Sequence, residues 1–318
     1  MGSGTTVFRT YREGDEAEIL RALNETSDVA CTLDEWAWLF PPEEDGRVIV
    51  VGERDGGVTA VCAGAPVRVS VDGREWAAVE IRRLALSDRD DAGRVVDHFV
   101  ETFGADGRYA LVTAAFRSDA KIRSGFESAA KPRLSVLVRE QAAAAPLGRL
   151  LYRAEPARDW EPRLDGLWRR ARRSYPVAVV RDADRALRRF AAHPKIRHHR
   201  FIVCPRFSSR AVAFAVFAID GVRCRWLDLL WDHDHPGALE LLAHISGRLV
   251  RQFEGEGEEL WLAGDDEAGA LLTKRGFAPD KTSPPPVMAA RSLVPELDAT
   301  AFVERAYMTL ADAEGLVS

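Results

Sequence analysis

Between residues 76 and 126 the spacing of apolar and polar positions changes period several times, and each change marks an element. Residues 76–86 read as an extended strand, which places Glu80, Arg82, Leu84 and Leu86 on one face and Val79, Ile81, Arg83 and Ala85 on the other. The run breaks in the polar turn Ser87-Asp88-Arg89-Asp90-Asp91, and Val95, Val96, Phe99, Val100 and Phe103 then recur at helical spacing. Residues 109–113 predict a second strand, and a short helix through Ala120 and Ile122 ends at Gly125-Phe126. A turn between strand and helix offers free amides and the positive end of a helix dipole, so it is a candidate anion site.

The pattern returns in the second half. Residues 223–230 predict a strand, Trp231-Asp232-His233-Asp234-His235 a polar turn, and Pro236-Gly237 a helix start, with Leu239, Leu242, Ile245, Leu249 and Phe253 on one side. A strand at 260–263 and a short helix ending in Lys274-Arg275-Gly276-Phe277 echo Arg123-Ser124-Gly125-Phe126. Two copies of one α/β unit follow from this repetition. The expected division is a first domain over 1–140, a linker over 141–149 and a second domain with a tail over 150–318.

In order and spacing both halves resemble GCN5-related N-acetyltransferase (GNAT) domains, and the whole chain resembles the tandem GNAT-like proteins of bacteria. The resemblance covers residues 5–140 and 150–292. It implies two tandem domains, each a mixed, mostly antiparallel central sheet flanked by helices. The family's phosphate-binding signature is Arg or Gln, two residues, Gly, one residue, then Gly or Ala. The first copy, Arg89-Asp90-Asp91-Ala92-Gly93-Arg94, keeps the arginine but has Ala and Arg at the small positions; the second, Asp234-His235-Pro236-Gly237-Ala238-Leu239, keeps only the central glycine.

By that resemblance the chain is a GNAT-type acyltransferase, moving an acyl group from acetyl-CoA, another acyl-CoA or a carrier thioester to an amine of a small molecule or peptide. The thioester's pantetheine would follow Leu84, Ala85 and Leu86, and its phosphates would meet Arg89, Gly93 and Arg94. The amine would enter beside Trp36 and Trp38, residues whose alternative role is core packing. Glu80, a carboxylate within a central strand, is the candidate general base; a structural ion pair with Arg82 or Arg83 is the alternative. Related enzymes place a tyrosine on the helix after the second strand to protonate the departing thiolate. None is present here; Ser118 and Tyr109 are the nearest hydroxyls, and Ser118 has an N-cap as its other reading.

Composition narrows the field only slightly. The chain has 318 residues and a net charge of −5, and no apolar run reaches the roughly 18 residues of a membrane span. Residues 169–200 form one strongly basic region, rich in arginine. It raises a second reading, a transferase on the same fold using aminoacyl-tRNA. A third is a catalytically silent binding or scaffold protein. Four scattered cysteines read as reduced thiols in a cytoplasmic protein, and the excess of arginine over lysine points to a GC-rich bacterial genome, where such genes often serve secondary metabolism. No metal is expected from Asp232-His233-Asp234-His235, because adjacent turn residues cannot all aim at one ion. Nucleophile-elbow, phosphate-loop, dinucleotide and Cys-x-x-Cys motifs are absent from the sequence.

Overall fold

In the computed structural model, residues 5–26, 30–42, 47–105, 107–116, 126, 128–130, 134–140, 150–280 and 287–313 are described. The expected linker 141–149, Ser118 with most of its helix, and the side chain of Arg89 lie outside them.

The first half runs β1 (Val7–Thr10), α1 (Glu16–Thr26), α2 (Leu33–Leu39), β2 (Ile49–Arg54), β3 (Gly57–Val71) and β4 (Arg74–Leu86). It continues with α3 (Ala92–Gly104), β5 (Leu111–Phe116), β6 (Ser128–Ala130) and β7 (Ser135–Arg139). The second half repeats this as β8 (Tyr152–Pro156), α4 (Arg163–Ala171), β9 (Val177–Val179), α5 (Ala183–Ala186), β10 (His199–Pro205), β11 (Ala213–Asp220) and β12 (Arg223–Trp231). Then come α6 (Pro236–Gln252), β13 (Gly257–Ala263), α7 (Asp266–Lys274), β14 (Ala278–Pro279), β15 (Val287–Ser292), α8 (Ala299–Arg305) and β16 (Ala306–Thr309).

Local chemistry accounts for several boundaries. Asp55 and Gly56 both take positive φ between β2 and β3, the backbone a tight hairpin turn needs. Thr32 caps α2 in a reciprocal box with Glu35. Val95, Val96, Phe99, Val100 and Phe103 are buried along α3, matching the periodicity. On α6, Leu239, Leu242 and Leu249 are buried as expected, but Phe253 falls past the helix end and is exposed.

Each half forms a mixed, mostly antiparallel sheet, with the β4–β5 and β12–β13 pairs parallel. The closing strands are exchanged. β7 follows the first unit in sequence yet lies between β13 and β14, and β15 lies between β5 and β6. Strands β9 and β16 bridge the halves by pairing with β3, with each other and with β13. Helix α3 covers one face of the first sheet, α1 and α2 the other, and the largest core belongs to the second half.

Candidate active site

The site begins with one extra residue in β4. Ala63 faces Arg83 across the β3–β4 ladder and Gly64 faces Ile81, so Arg82 is bulged out of the register. Gly64 is required there, because a Cβ would lie 2.6 Å from Val79 and 2.8 Å from Phe99. Beside the bulge the parallel partner leaves: β4 and β5 pair only from Ala78–Leu111 to Ile81–Ala114. Beyond Ile81 that edge of β4 has no strand partner among the described residues.

The bulge also resets which side chains share a face. Simple alternation groups Glu80 and Arg82 with Leu84 and Leu86, whereas Leu84 and Leu86 pack with Val79 and Ile81 on the α3 side. Ala85 packs on the α1–α2 side. A two-residue period cannot be carried through an inserted residue.

Glu80 and Arg82 form an ion pair, Nε to Oε2 at 3.1 Å, with side chains 13% and 11% exposed. Burial pushes the Arg82 guanidinium down to about 10; Glu80 opposes the shift, and Arg189 and Arg185 add to it. Arg82 lines a cavity of about 290 Å³ where β9 parts from β3 and the halves meet. Trp38, Arg68, Asp182, Arg185 and Arg189 line it as well. The Trp38 indole N–H donates to the Arg188 carbonyl at 2.8 Å, fixing its ring across the interface. Trp36 is placed differently: it is 1% exposed, packs in the α1–α2 core, and carries the Arg47 guanidinium 4.1 Å from its ring centre. The pair of tryptophans expected at a substrate site is thus divided, because residues two apart on a helix face different sides.

Arg185 and Arg189 are site residues that the sequence merged into a basic stretch. Their place depends on how the halves dock, and no local pattern announces it. Many charges of that stretch are matched by acids: Arg170 with Asp232, Arg185 with Asp312, Arg200 with Asp159, and, across the interface, Arg172 with Glu75 and Lys195 with Glu35.

Part of the polar turn after β4 is engaged within the protein, although no side chain caps the N-terminus of α3. Asp91 is 2% exposed and accepts hydrogen bonds from Thr6 Oγ1, Arg54 and Arg94, each at 2.8 Å. Asp88 accepts the backbone N–H of Asp90 at 3.0 Å, so this amide is already committed. Gly93 is the second residue of α3. Leu84 and Ala85 are buried and Leu86 is half-buried at the strand end beside the turn.

In the second half the corresponding opening is filled by the chain itself. Leu227 is bulged as Arg82 is, and β12 pairs with β13 only as far as Trp226–Leu260. There β16 takes up pairing with β13, and Tyr307 donates its hydroxyl to the carbonyl of Leu229 on β12. Asp228 lies in this plug, bound to Arg181 at 2.8 Å and to Thr309 at 3.0 Å, and Arg181 also pairs with Asp312. The turn side chains have separate tasks: Asp232 holds Arg170 and Arg210, His233 faces Asp265 and Glu267, and His235 meets Tyr152. No group of three metal-ligating side chains occurs among the described residues. None of their helices is long and apolar enough to cross a membrane.

No protein-family model and no curated protein matches the sequence. Solved structures do match. A GCN5-related N-acetyltransferase from Anabaena variabilis aligns over 93% of this chain and 75% of its own, with TM-score 0.69 and 11% identity. Another, from Kribbella flavida, aligns over 91% and 71%, with TM-score 0.67 and 15% identity. N-myristoyltransferase of Saccharomyces cerevisiae, solved with bound myristoyl-CoA, aligns over 98% and 85%, with TM-score 0.61 and 10% identity. The two mixed, mostly antiparallel sheets flanked by helices and these alignments over nearly the whole chain agree: this protein is built on the GNAT fold.

Proposed function

We propose that the protein is an N-acyltransferase that moves an acyl group from a CoA or carrier thioester to an amine of a small molecule or peptide, using the first half. One observation carries this reading: the free edge of β4 starts at Arg82, and the same residue lines the cavity between the halves. Donor and acceptor would meet at that point. The neighbours' names, N-acetyltransferase and N-myristoyltransferase, fit the reaction class. The second half is a poorer donor site because β16 and Tyr307 occupy its split.

The thioester arm would pair with the backbone of β4 near Leu84, Ala85 and Leu86, as an added strand does. Free N–H groups there would polarise the thioester carbonyl. An ammonium acceptor in the cavity loses a proton to Glu80, directly or through water, while Arg82 holds that carboxylate in place. The amine lone pair then forms the C–N bond, the C–S bond breaks, and the thiolate leaves to be protonated. Ser118 remains the proposed source of that proton.

The donor's carrier group is a separate question, and the Asp91 cluster bears on it. Arg54 and Arg94 are both already paired with Asp91, so Arg94 offers a pyrophosphate little unmatched positive charge. A thioester on a carrier protein needs less from this turn than CoA does. Use of aminoacyl-tRNA gains little support from residues 169–200, given how many of those charges face acids.

Calorimetry with acetyl-CoA and longer acyl-CoAs, on the wild type and on Arg94→Gln, tests the donor, and acyl-pantetheine tests the carrier form. Micromolar binding weakened in the variant supports CoA. Turnover of acyl-pantetheine equal to that of acyl-CoA supports a carrier thioester. Binding of neither sinks acyl transfer and leaves the silent scaffold.

A further inference from the structure

We propose that the cavity between the halves binds a small ligand with an anionic group, a carboxylate or phosphate ester, beside an apolar body, with Arg82, Arg185 and Arg189 clamping the anion. That this ligand is the acceptor rests on the acyl-transfer reading; that the cavity takes an anion does not.

Five arginines line the cavity against two aspartates, Asp182 and Asp184. Both acids are already spent, on Arg68 and Arg188 respectively. Glu80 serves Arg82, and Asp312 is shared between Arg181 and Arg185. Arg185 and Arg189 each push the Arg82 guanidinium toward losing its proton, so the three cations act on one another within the protein. An anion set among them would relieve that repulsion.

The Arg185 side chain is 10% exposed and spends Nη2 on Asp312 at 2.7 Å, while its Nε is buried with no hydrogen-bond partner. A buried donor left without an acceptor is unfavourable, and native proteins rarely retain one without a use. A guanidinium presents paired N–H groups that match the oxygens of carboxylate or phosphate.

The remaining wall limits the size and character of the ligand. Pro66, Val67, Val179 and Val180 are apolar, and the Trp38 ring closes one side. A volume of about 290 Å³ lies at the small end of ligand pockets, suited to a molecule of amino-acid size. With an amine added by the acyl-transfer reading, the acceptor class becomes amino acids with apolar side chains, or amines bearing a phosphate ester.

The test uses the full chain at low salt without any donor, with binding read by calorimetry. The probes are L-phenylalanine, L-phenylalaninamide and phenyl phosphate. Binding of phenylalanine at least tenfold tighter than its amide identifies a carboxylate site; the same margin for phenyl phosphate identifies a phosphate site. Arg185→Gln should lower the favoured anion's affinity at least tenfold. Because Arg185 also holds Asp312, the acid and amide are compared on the unaltered chain, where no variant has to fold. Equal affinity for all three probes, or no binding at millimolar concentration, overturns the proposal. Acyl-CoA binding measured on the same preparation separates the two readings: if it survives while the anions fail, only the anion clamp falls. If the anions bind and no acyl donor does, the clamp stands without the transferase.

Discussion

Arg139 and Glu258 stand 119 residues apart in sequence and 2.6 Å apart in space, each about 2% exposed. They sit opposite one another where the exchanged strand β7 meets β13. Arg139 also donates to the carbonyls of Ala243 and Arg275, and Glu258 accepts from Trp226 and Ser246. The pair therefore fastens the end of the first unit into the sheet of the second.

Removing one partner strands the other charge in the core. Arg139→Met is expected to cost about 3–5 kcal/mol, and the double change with Glu258→Met to recover much of the loss. Urea unfolding of both variants measures this. A single variant within about 1 kcal/mol of wild type would show that the pair does not secure the exchange.

Tyr307 closes the second half's split from the other end of the chain. Its ring stacks on Tyr175 at 4.0 Å and its hydroxyl serves Leu229. Tyr307→Phe leaves that carbonyl buried without its donor, for an expected loss of about 1–3 kcal/mol. If the donor binds in the first half, acyl-CoA affinity stays within about twofold. A large drop in affinity with little change in stability would instead put the donor in the second half.

How much of this was legible follows from which interactions are local. The periodicity of Val95 to Phe103 marked α3, and the repeated strand, turn and helix marked the second copy, because a helix or strand writes its own period into adjacent residues. The exchange of β7 and β15 left no such trace; Ser135–Arg139 reads as a strand whichever sheet receives it. The Arg82 bulge was likewise hidden, since one inserted residue looks like ordinary alternation until the partner strand fixes the register. Arg185 and Arg189 were visible only as positive charge, and docking of the halves turned them into a cavity wall.

His233 makes stability depend on pH. Burial disfavours its charged form, but hydrogen bonding and attraction to Asp265, together with Glu267, outweigh burial and raise its pKa. A raised native pKa means protons are held more tightly folded than unfolded, so this contribution is complete below the unfolded value of about 6.5 and is lost as pH rises through the native one. Melting temperature should fall over that interval, and His233→Gln should flatten the slope. An unchanged slope in the variant would assign the effect to other groups.

Trp36 and Trp38 separate packing from recognition. Trp36→Ala removes a buried indole from the α1–α2 core and should cost about 3–5 kcal/mol. Trp38→Ala should cost less stability and raise the acceptor's KM, since this ring borders the cavity. The reverse assignment, with KM sensitive only to Trp36, would move the acceptor away from the interface.

Glu80 gives the sharpest test of the chemistry. Gln in its place keeps shape and removes the base, so Glu80→Gln should lower kcat about 10²–10⁴-fold. Acyl-donor affinity should hardly change, because Glu80 is engaged by Arg82 and sits where β4 is still paired with β5, away from the free edge. The variant also releases Arg82 from its carboxylate, which by itself would disturb acceptor binding. Rate against pH resolves the two effects: loss of a base removes the acidic limb of the profile, whereas loss of positioning lowers the curve and preserves its shape. A Glu80→Gln enzyme with an unaltered acidic limb would leave Glu80 as the partner of Arg82 and assign the proton to water or to the substrate.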